Sequence, residues 1–405
     1  MAAPALLRSR RASAGQSLRL GLVSPQTGPL AAFGEADGFV LEQIRGVLAD
    51  GLETRRGRMP VEIIVRDSRS NPNRAAEVAA QLILKDEVDL LLAASTPDTV
   101  NPVADQAESY EVPCLTTDCP WQSWFFGRKG DPGKGFAWTY HFFFGFDDAV
   151  AAFVDLWSTV DTNRRIGLIL PNDADGIAAA DVELGVTPVY QRAGFEIVNP
   201  GLYTPFAEDY SAAIEAFKRG GVDIVSGLMV PPDFATFWAQ AGQQGLRPKV
   251  VTVGKAVLFP SAVAAIGERA DGLSTEIWWS PHHPFRSGLT GQSAAELAGA
   301  FSAATGRPWT QPLGFKHALF EVAADVLRRA DDPKDKGAII EAIRTMDYGS
   351  VVGPVHWTGD PMPNVSRTPL VAGQWQRTAD RFDLAICANA HAPSIPVTDR
   401  LRLLA

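Results

Sequence analysis

Three cysteines in 405 residues leave this chain without a disulfide framework. Cys114 and Cys119 are near enough in sequence to pair, but two thiols beside a strand end are more often reduced or buried. Histidine is scarce as well. The one adjacent pair among the six, His282-His283, points to opposite sides of an extended segment and cannot share a metal. Positive charge is short: 37 Lys and Arg stand against 46 Asp and Glu, and no Lys/Arg run occurs beyond the N-terminus. That balance argues against a nucleic-acid partner. No apolar run approaches the roughly 18–20 residues that a membrane span needs, so stable membrane insertion is not expected. G-x-S-x-G, H-E-x-x-H and paired C-x-x-C are missing too, which leaves an enzyme reading without a motif and no cofactor expected. The run GDPGKG at 130–135 has two residues between its first glycines where a phosphate loop needs four, so it reads as a surface loop. In NDADG at 172–176, placing Gly176 sixth puts Pro171 at the first ligand position of a calcium loop. Residues 1–17 hold arginines and small residues without an apolar core after them, as a processed export signal or a plain arm would.

What is present is a repeated unit. Residues 18–29, LRLGLVSPQTGP, form a short apolar strand that runs into a polar loop punctuated by Gly and Pro. An amphipathic helix carrying Phe33, Phe39, Leu41 and Ile44 is expected next. Such a junction sets free backbone N–H groups at the carboxyl edge of a sheet, where open α/β proteins hold small anionic or zwitterionic ligands.

The unit recurs. Strands at 61–67, 88–93 and 112–116 alternate with helices at 74–85 and 98–109, which implies a parallel sheet covered on both faces. The aromatic, Gly-rich stretch 120–135 reads as a long loop. A second series follows, with strands at 165–170, 195–198, 223–228 and 250–253 and helices at 176–193, 209–219 and 233–244. Two α/β halves in tandem suit a chain of this length, with 46% apolar and 20% charged residues. The last third adds helices at 292–305, 314–330 and 336–346 and strands near 350–357, 368–375 and 381–388, a segment able to return to both halves.

Taken in order, several of these stretches resemble one family. They are LGLVSPQTGPLAAFG at 20–34, VRDS at 65–68 with Asn71-Pro72 before a helix, AST at 94–96, PNDADG at 171–176, DYS at 209–211 and GSVVGPVHW at 349–357. The pattern over about residues 18–390 resembles the type I solute-binding proteins of ABC importers, the leucine/isoleucine/valine-binding kind. The resemblance implies an α/β fold of two Rossmann-like lobes with parallel central sheets, joined by a three-strand hinge with a ligand cleft between them. It implies lobe one at 18–140 plus 278–346, lobe two at 141–277 plus 347–390, and a tail at 391–405. It also implies capture of a small carboxylate-bearing ligand, an amino acid or a hydrophobic or aromatic acid, and delivery to a permease outside the cytoplasm. A cytoplasmic or receptor-type sensor of the same fold is the alternative.

By motif position, the resemblance places ligand contacts at Phe33, at Ser95 and Thr96, and in the loop of Thr116, Thr117, Cys119 and Trp121. Ser95, Thr96 and Thr116 have a plainer reading as helix caps and turn residues, and Phe33 as a core residue. One of Trp121 and Trp124 is expected to face the ligand. In the second half the corresponding positions are Asp175, Met229 and Lys255. Amino-acid binders of the family usually place a carboxylate at the last of these, to hold the ligand ammonium, so Lys255 implies a ligand without that group unless Asp175 supplies the charge. A solvated loop lysine is the plainer reading. Trp278 and Trp279 part to opposite sides of the crossover, one toward the cleft. His317, near the start of the helix expected at 314–330, completes the set, with a satisfied structural histidine as its alternative.

Overall fold

The strand Leu18–Ser24 is apolar on both of its faces because it is central: Val61–Asp67 and Leu90–Ala94 pair with it on either side, both parallel. The structure is a computed structural model that describes residues 17–379 and 381–404, so the expected N-terminal arm lies outside it except for Ser17. In the first sheet the order is Val365–Ser366, Thr139–Phe142, Cys114–Thr117, Leu90–Ala94, Leu18–Ser24, Val61–Asp67, with every pairing parallel. The second sheet runs Leu202–Tyr203, Arg165–Pro171, Ile224–Leu228, Val250–Gly254, Ser274–Ile277, Val371–Arg377, Phe382–Ala388. Its last two strands are antiparallel additions. The protein is thus α/β with two Rossmann-like lobes. The chain passes between the sheets after Phe142, after Ile277 and again between Ser366 and Val371.

Helices cover both sheets as the alternation requires. Pro72–Leu84 starts on an Asn71 cap that accepts from the Arg74 amide at 3.0 Å, with proline in its first turn. The helix Gln311–Arg329 also starts on proline and ends on Arg328 and Arg329, and it is buried from Gln311 to Leu327. It packs on Asp37–Val47 and on strands of the first sheet, so it is a core element.

Three segments depart from the sequence expectations. The expected helix at 176–193 is two, Ala174–Ala179 and Val186–Arg192. Between them the Asp181 carboxylate accepts from the Glu183 and Leu184 amides and draws the backbone into a turn. The loop expected at 120–135 contains the short helix Trp121–Phe125. The stretch 347–390, assigned to the second lobe, divides. Asp347–Ser350 and Gly353–His356 form a hairpin, the first strand of which packs on Gln311–Arg329, while Val365–Ser366 edges the first sheet. Only Val371–Arg377 and Phe382–Ala388 join the second sheet.

Gly227 shows how tightly the second sheet is built. Its φ is +142°, and a Cβ there would lie 1.8 Å from the Ile169 carbonyl oxygen on the neighbouring strand. Gly227→Ala is expected to destabilise the protein by about 2 kcal/mol or more, through backbone strain and overpacking together. Denaturant unfolding measures it, and wild-type stability in this variant would contradict the close packing.

Candidate ligand cleft

The carboxyl ends of strands from both sheets meet around one small cavity. From the first sheet come Asp118 and Pro120, just past Cys114–Thr117, and Phe143, Phe144 and Phe146, just past Thr139–Phe142. The second sheet contributes Leu228, Gly254 with Lys255, and Glu276 with Trp278, at or beside the ends of three strands. Phe33, Ala149, Phe153, Asp175 and Leu258 complete the wall. Parallel strands end here with their helices starting beyond, the position at which doubly wound folds bind ligands. The wall is dominated by six aromatic rings, with three carboxylates and one ammonium among them.

The ammonium is already partnered. Lys255 Nζ lies 2.7 Å from Asp175 Oδ2 and 3.8 Å from Asp173 Oδ2. Burial pulls the Lys255 pKa down, and Asp175 and Asp173 more than restore it, so its proton is held more firmly than in water. Lys255 itself sits at φ +66°, and its backbone amide donates to Glu276 Oε1 at 3.0 Å. The second oxygen of Glu276 accepts from the Thr275 hydroxyl at 2.8 Å. Asp173 caps the helix Ala174–Ala179 by accepting from the Gly176 amide at 2.8 Å. Asp98, at the start of Pro97–Ser109, has a pKa raised to about 6 by burial and by Asp173.

The same cluster ties the lobes together. Ser123, on the short helix beside the first sheet, donates its hydroxyl proton to Asp175 Oδ1 at 2.6 Å. Phe33 meets Phe259 edge to face, with centroids 5.0 Å apart at 74°. At the rim the Ser261 hydroxyl donates to Glu35.

Asp118 is different from every other charge here. It stands at φ +74°, in the left-handed region that Asp and Asn tolerate better than most residues, and it is 4% exposed. Neither carboxylate oxygen has a hydrogen-bond partner. The adjacent Thr117 hydroxyl gives its single proton to the Phe142 carbonyl at 2.7 Å, so it has none to offer. Lys316 is engaged 3.1 Å from Asp37 and donates to Ser24 Oγ at 3.0 Å. Burial, opposed by the field of Lys316, raises the Asp118 pKa to about 7.

Of the residues proposed from sequence, the structure brings Phe33, Asp175, Lys255 and Trp278 to the cavity. Trp278 lines it with its indole N–H unpartnered, while Trp279 packs against Gly314. Ser95 and Thr96 lie outside the lining, yet both hydroxyls are buried without partners. Thr96 occupies the N-cap position of Pro97–Ser109 without capping it through its side chain. Since Ala94 pairs with Thr117, Ser95 and Asp118 end adjacent strands.

The remaining candidates lie elsewhere. The Thr116 and Thr117 hydroxyls are used within the sheet, Thr116 donating to His141 Nδ1 at 2.9 Å and Thr117 to Phe142 O at 2.7 Å. The Cys119 carbonyl accepts from His141 Nε2 at 2.8 Å, and its thiol is free and buried, as is that of Cys114. Trp121, expected to face the ligand, points its indole at Gly145, where a Cβ would lie 2.1 Å from Nε1. Trp124 stacks on His141 at 5.0 Å. Met229 is one residue too far along: alternation turns it into the core behind the sheet and leaves Leu228 on the cavity. His317 is a satisfied structural histidine, bonded to Gln43 Oε1 at 3.1 Å and Ser287 Oγ at 2.8 Å, with its pKa lowered by burial to about 4.

Sequence reasoning missed Asp118, Glu276 and the phenylalanines 143, 144 and 146. A lone acid in the apolar run LTTDCPW, another before the Trp pair, and the crowded HFFFGF were the available signals. Among the described residues, no group of His, Cys, Asp or Glu is placed to hold a metal, and no helix is long and apolar enough to cross a membrane.

The sequence matches the family described as periplasmic binding protein over residues 17–377. No curated protein matches the chain. Solved structures share its fold at low identity. The leucine-binding protein LivK of Thermotoga maritima aligns at 18% identity and TM-score 0.72, covering 92% of this chain and 99% of its own. A solute-binding protein of an ABC transporter from Rhodopseudomonas palustris BisB5, in complex with 3,4-dihydroxybenzoic acid, aligns at 17% and 0.73, covering 92% and 96%. LivJ of Streptococcus pneumoniae, in complex with isoleucine, aligns at 16% and 0.69, covering 92% and 100%.

Two measurements check the electrostatics of the cleft. Lys255→Met leaves Asp175 buried without its cation and is expected to cost about 3–5 kcal/mol, whereas adding Asp175→Leu recovers most of the loss. Urea unfolding of both variants decides it; equal stabilities would refute the pairing. The second concerns Asp118, whose native pKa of about 7 stands above the ordinary carboxylate value of 3.8. The folded state therefore keeps a proton that the unfolded chain releases, and this group subtracts stability as pH rises from about 4 to 7. Asp118→Asn should gain on wild type across that window and hold a constant advantage above it. A pH-independent difference would contradict the burial.

Proposed function

We propose, since this chain belongs to the periplasmic binding protein family, that it is an extracytoplasmic solute receptor that captures a small carboxylate-bearing ligand and passes it to an ABC-importer permease. The observation that carries this reading is the aromatic cavity at the strand ends of both sheets, with the unpartnered Trp278 indole N–H on its wall. An apolar wall with few convergent polar groups is the usual make-up of a small-molecule site. Phe33, Phe143, Phe144, Phe146, Phe153 and Trp278 offer flat apolar surface for an aromatic ring or a branched aliphatic chain. The Trp278 indole N–H and the Ser95 and Thr96 hydroxyls are the donors we assign to the ligand carboxylate, each charge-assisted bond contributing roughly 1.5–3 kcal/mol. Lys255 takes a different part from the one its position suggested. With Asp175 at 2.7 Å it supports the wall and the contact between lobes instead of meeting the carboxylate.

Amino acids and aromatic acids are the ligand classes that this wall fits, and both occur with proteins of the same fold. Binding to the native state alone raises stability by RT ln(1 + [L]/Kd), about 2.7 kcal/mol at a hundredfold excess over Kd. Thermal melts with L-leucine, L-phenylalanine and 4-hydroxybenzoate are expected to show a ligand-dependent rise in Tm. Ala149→Trp, which fills the cavity from a helix face, should abolish the rise, with near-UV circular dichroism as the check that the variant folds. Stabilisation that survives this substitution would place the ligand elsewhere, and no rise with any of the three would count against the reading.

A further inference from the structure

We infer that Arg367 is a positioning residue, a clasp across two of the three crossovers that sets the orientation of the lobes and with it the affinity for the solute. This rests on the solute-binding reading above and adds to it a residue outside the cavity.

The first and third crossovers leave the first sheet side by side. Val365–Ser366 pairs with His141 and Phe142, and the Phe143 amide donates to the Ser366 carbonyl at 3.0 Å. From there the two chains part. One enters the helix Phe146–Ser158, which packs on Ser274–Ile277, Val371–Arg377 and Phe382–Ala388 and so belongs with the second lobe. On the other, Arg367 is the first residue past the edge strand of the first sheet. Its guanidinium spans the gap. One nitrogen lies 2.9 Å from Asp147 Oδ2 and another 2.9 Å from Asp148 Oδ1, both in the first turn of that helix.

The remaining carboxylate oxygens are spent. Asp147 Oδ1 accepts from Gln122 Nε2 at 2.8 Å, and Asp148 Oδ2 accepts from the Gly145 amide at 2.8 Å. Gln122, on the short helix of the first lobe, also accepts from the Phe146 amide at 2.9 Å. Neighbouring acids repel, and burial together with Asp147 raises the Asp148 pKa to about 6 against the pull of Arg367. Arg367 is the cation that offsets both. A planar guanidinium serves two acceptors only at a fixed angle, so turning one lobe against the other breaks at least one arm. Lobes joined by a few crossovers do turn in this way, about the crossovers themselves. The cavity takes its wall from both lobes, so its width follows their orientation. A contact made in one arrangement and lost in another shifts the balance between them.

Double electron–electron resonance on the full chain tests this, with nitroxide labels on Lys85→Cys and Gln191→Cys, one exposed position in each lobe. The three native thiols are buried, which leaves the labels to these two sites. Arg367→Gln is expected to shift or broaden the distribution of distances between the lobes. Arg367→Lys keeps the charge but serves one acid at a time, and should fall between. Whichever of L-leucine, L-phenylalanine and 4-hydroxybenzoate raises the wild-type Tm is then titrated, and Arg367→Gln should raise its Kd about threefold or more. Near-UV circular dichroism checks the fold. Should Arg367→Gln fail to fold, Asp147→Asn removes one arm alone and should give the same shift in smaller measure. A lowered Tm with an unchanged distance distribution makes the ion pair merely structural and overturns the inference. An unchanged Kd overturns it as well, and leaves the solute-binding reading standing. If the distribution shifts and none of the three solutes binds, the solute-binding reading falls, and the orienting role of Arg367 stands without it.

Discussion

The contact on which the cleft depends is the buried pair of Lys255 and Asp175. Taking either charge out of water is costly, and the attraction repays it only where the remaining polar atoms are satisfied. Here they are: Asp175 spends its second oxygen on Ser123, and Asp173 adds a further negative charge at 3.8 Å. Because Ser123 belongs to the first lobe and Asp175 to the second, neutralising the lysine and joining the lobes are one arrangement. It also sets the charge of the cavity. With its ammonium committed to Asp175, Lys255 leaves Asp118 on the wall without a cation of its own.

The fold was readable because the pattern is redundant. Leu18–Ser24, Leu90–Ala94 and Val250–Gly254 are apolar on both faces and flanked by amphipathic helices, and each repeat of the unit repeats the evidence for parallel sheets. Elements without repeats were harder. The break after Ala179 is a local turn set by Asp181, and the pairing of Val365–Ser366 with His141 and Phe142 joins residues more than 200 apart. No periodicity in the sequence encodes such a contact.

The site was legible by region and less so by residue. The interval 116–121 held the right loop, but its pleat turns Thr116 and Thr117 into the sheet and gives the cavity to Asp118 and Pro120. Met229 and Leu228 differ in the same way, by one step of alternation. Position alone fixes neither the face of a strand nor what a side chain has already bonded. His317 and Lys255 carry the right chemistry for a ligand, and Gln43, Ser287 and Asp175 have already used it.

Two buried acids thus divide the work of the cleft. Asp175 is satisfied by side chains of the protein itself, so its contribution to joining the lobes is present whatever the ligand. Asp118 by contrast stands desolvated and unbonded, a penalty of about 1–3 kcal/mol or more. Satisfied polarity at Asp175 holds the lobes in register, and the unsatisfied polarity of Asp118 subtracts from the stability that this contact adds.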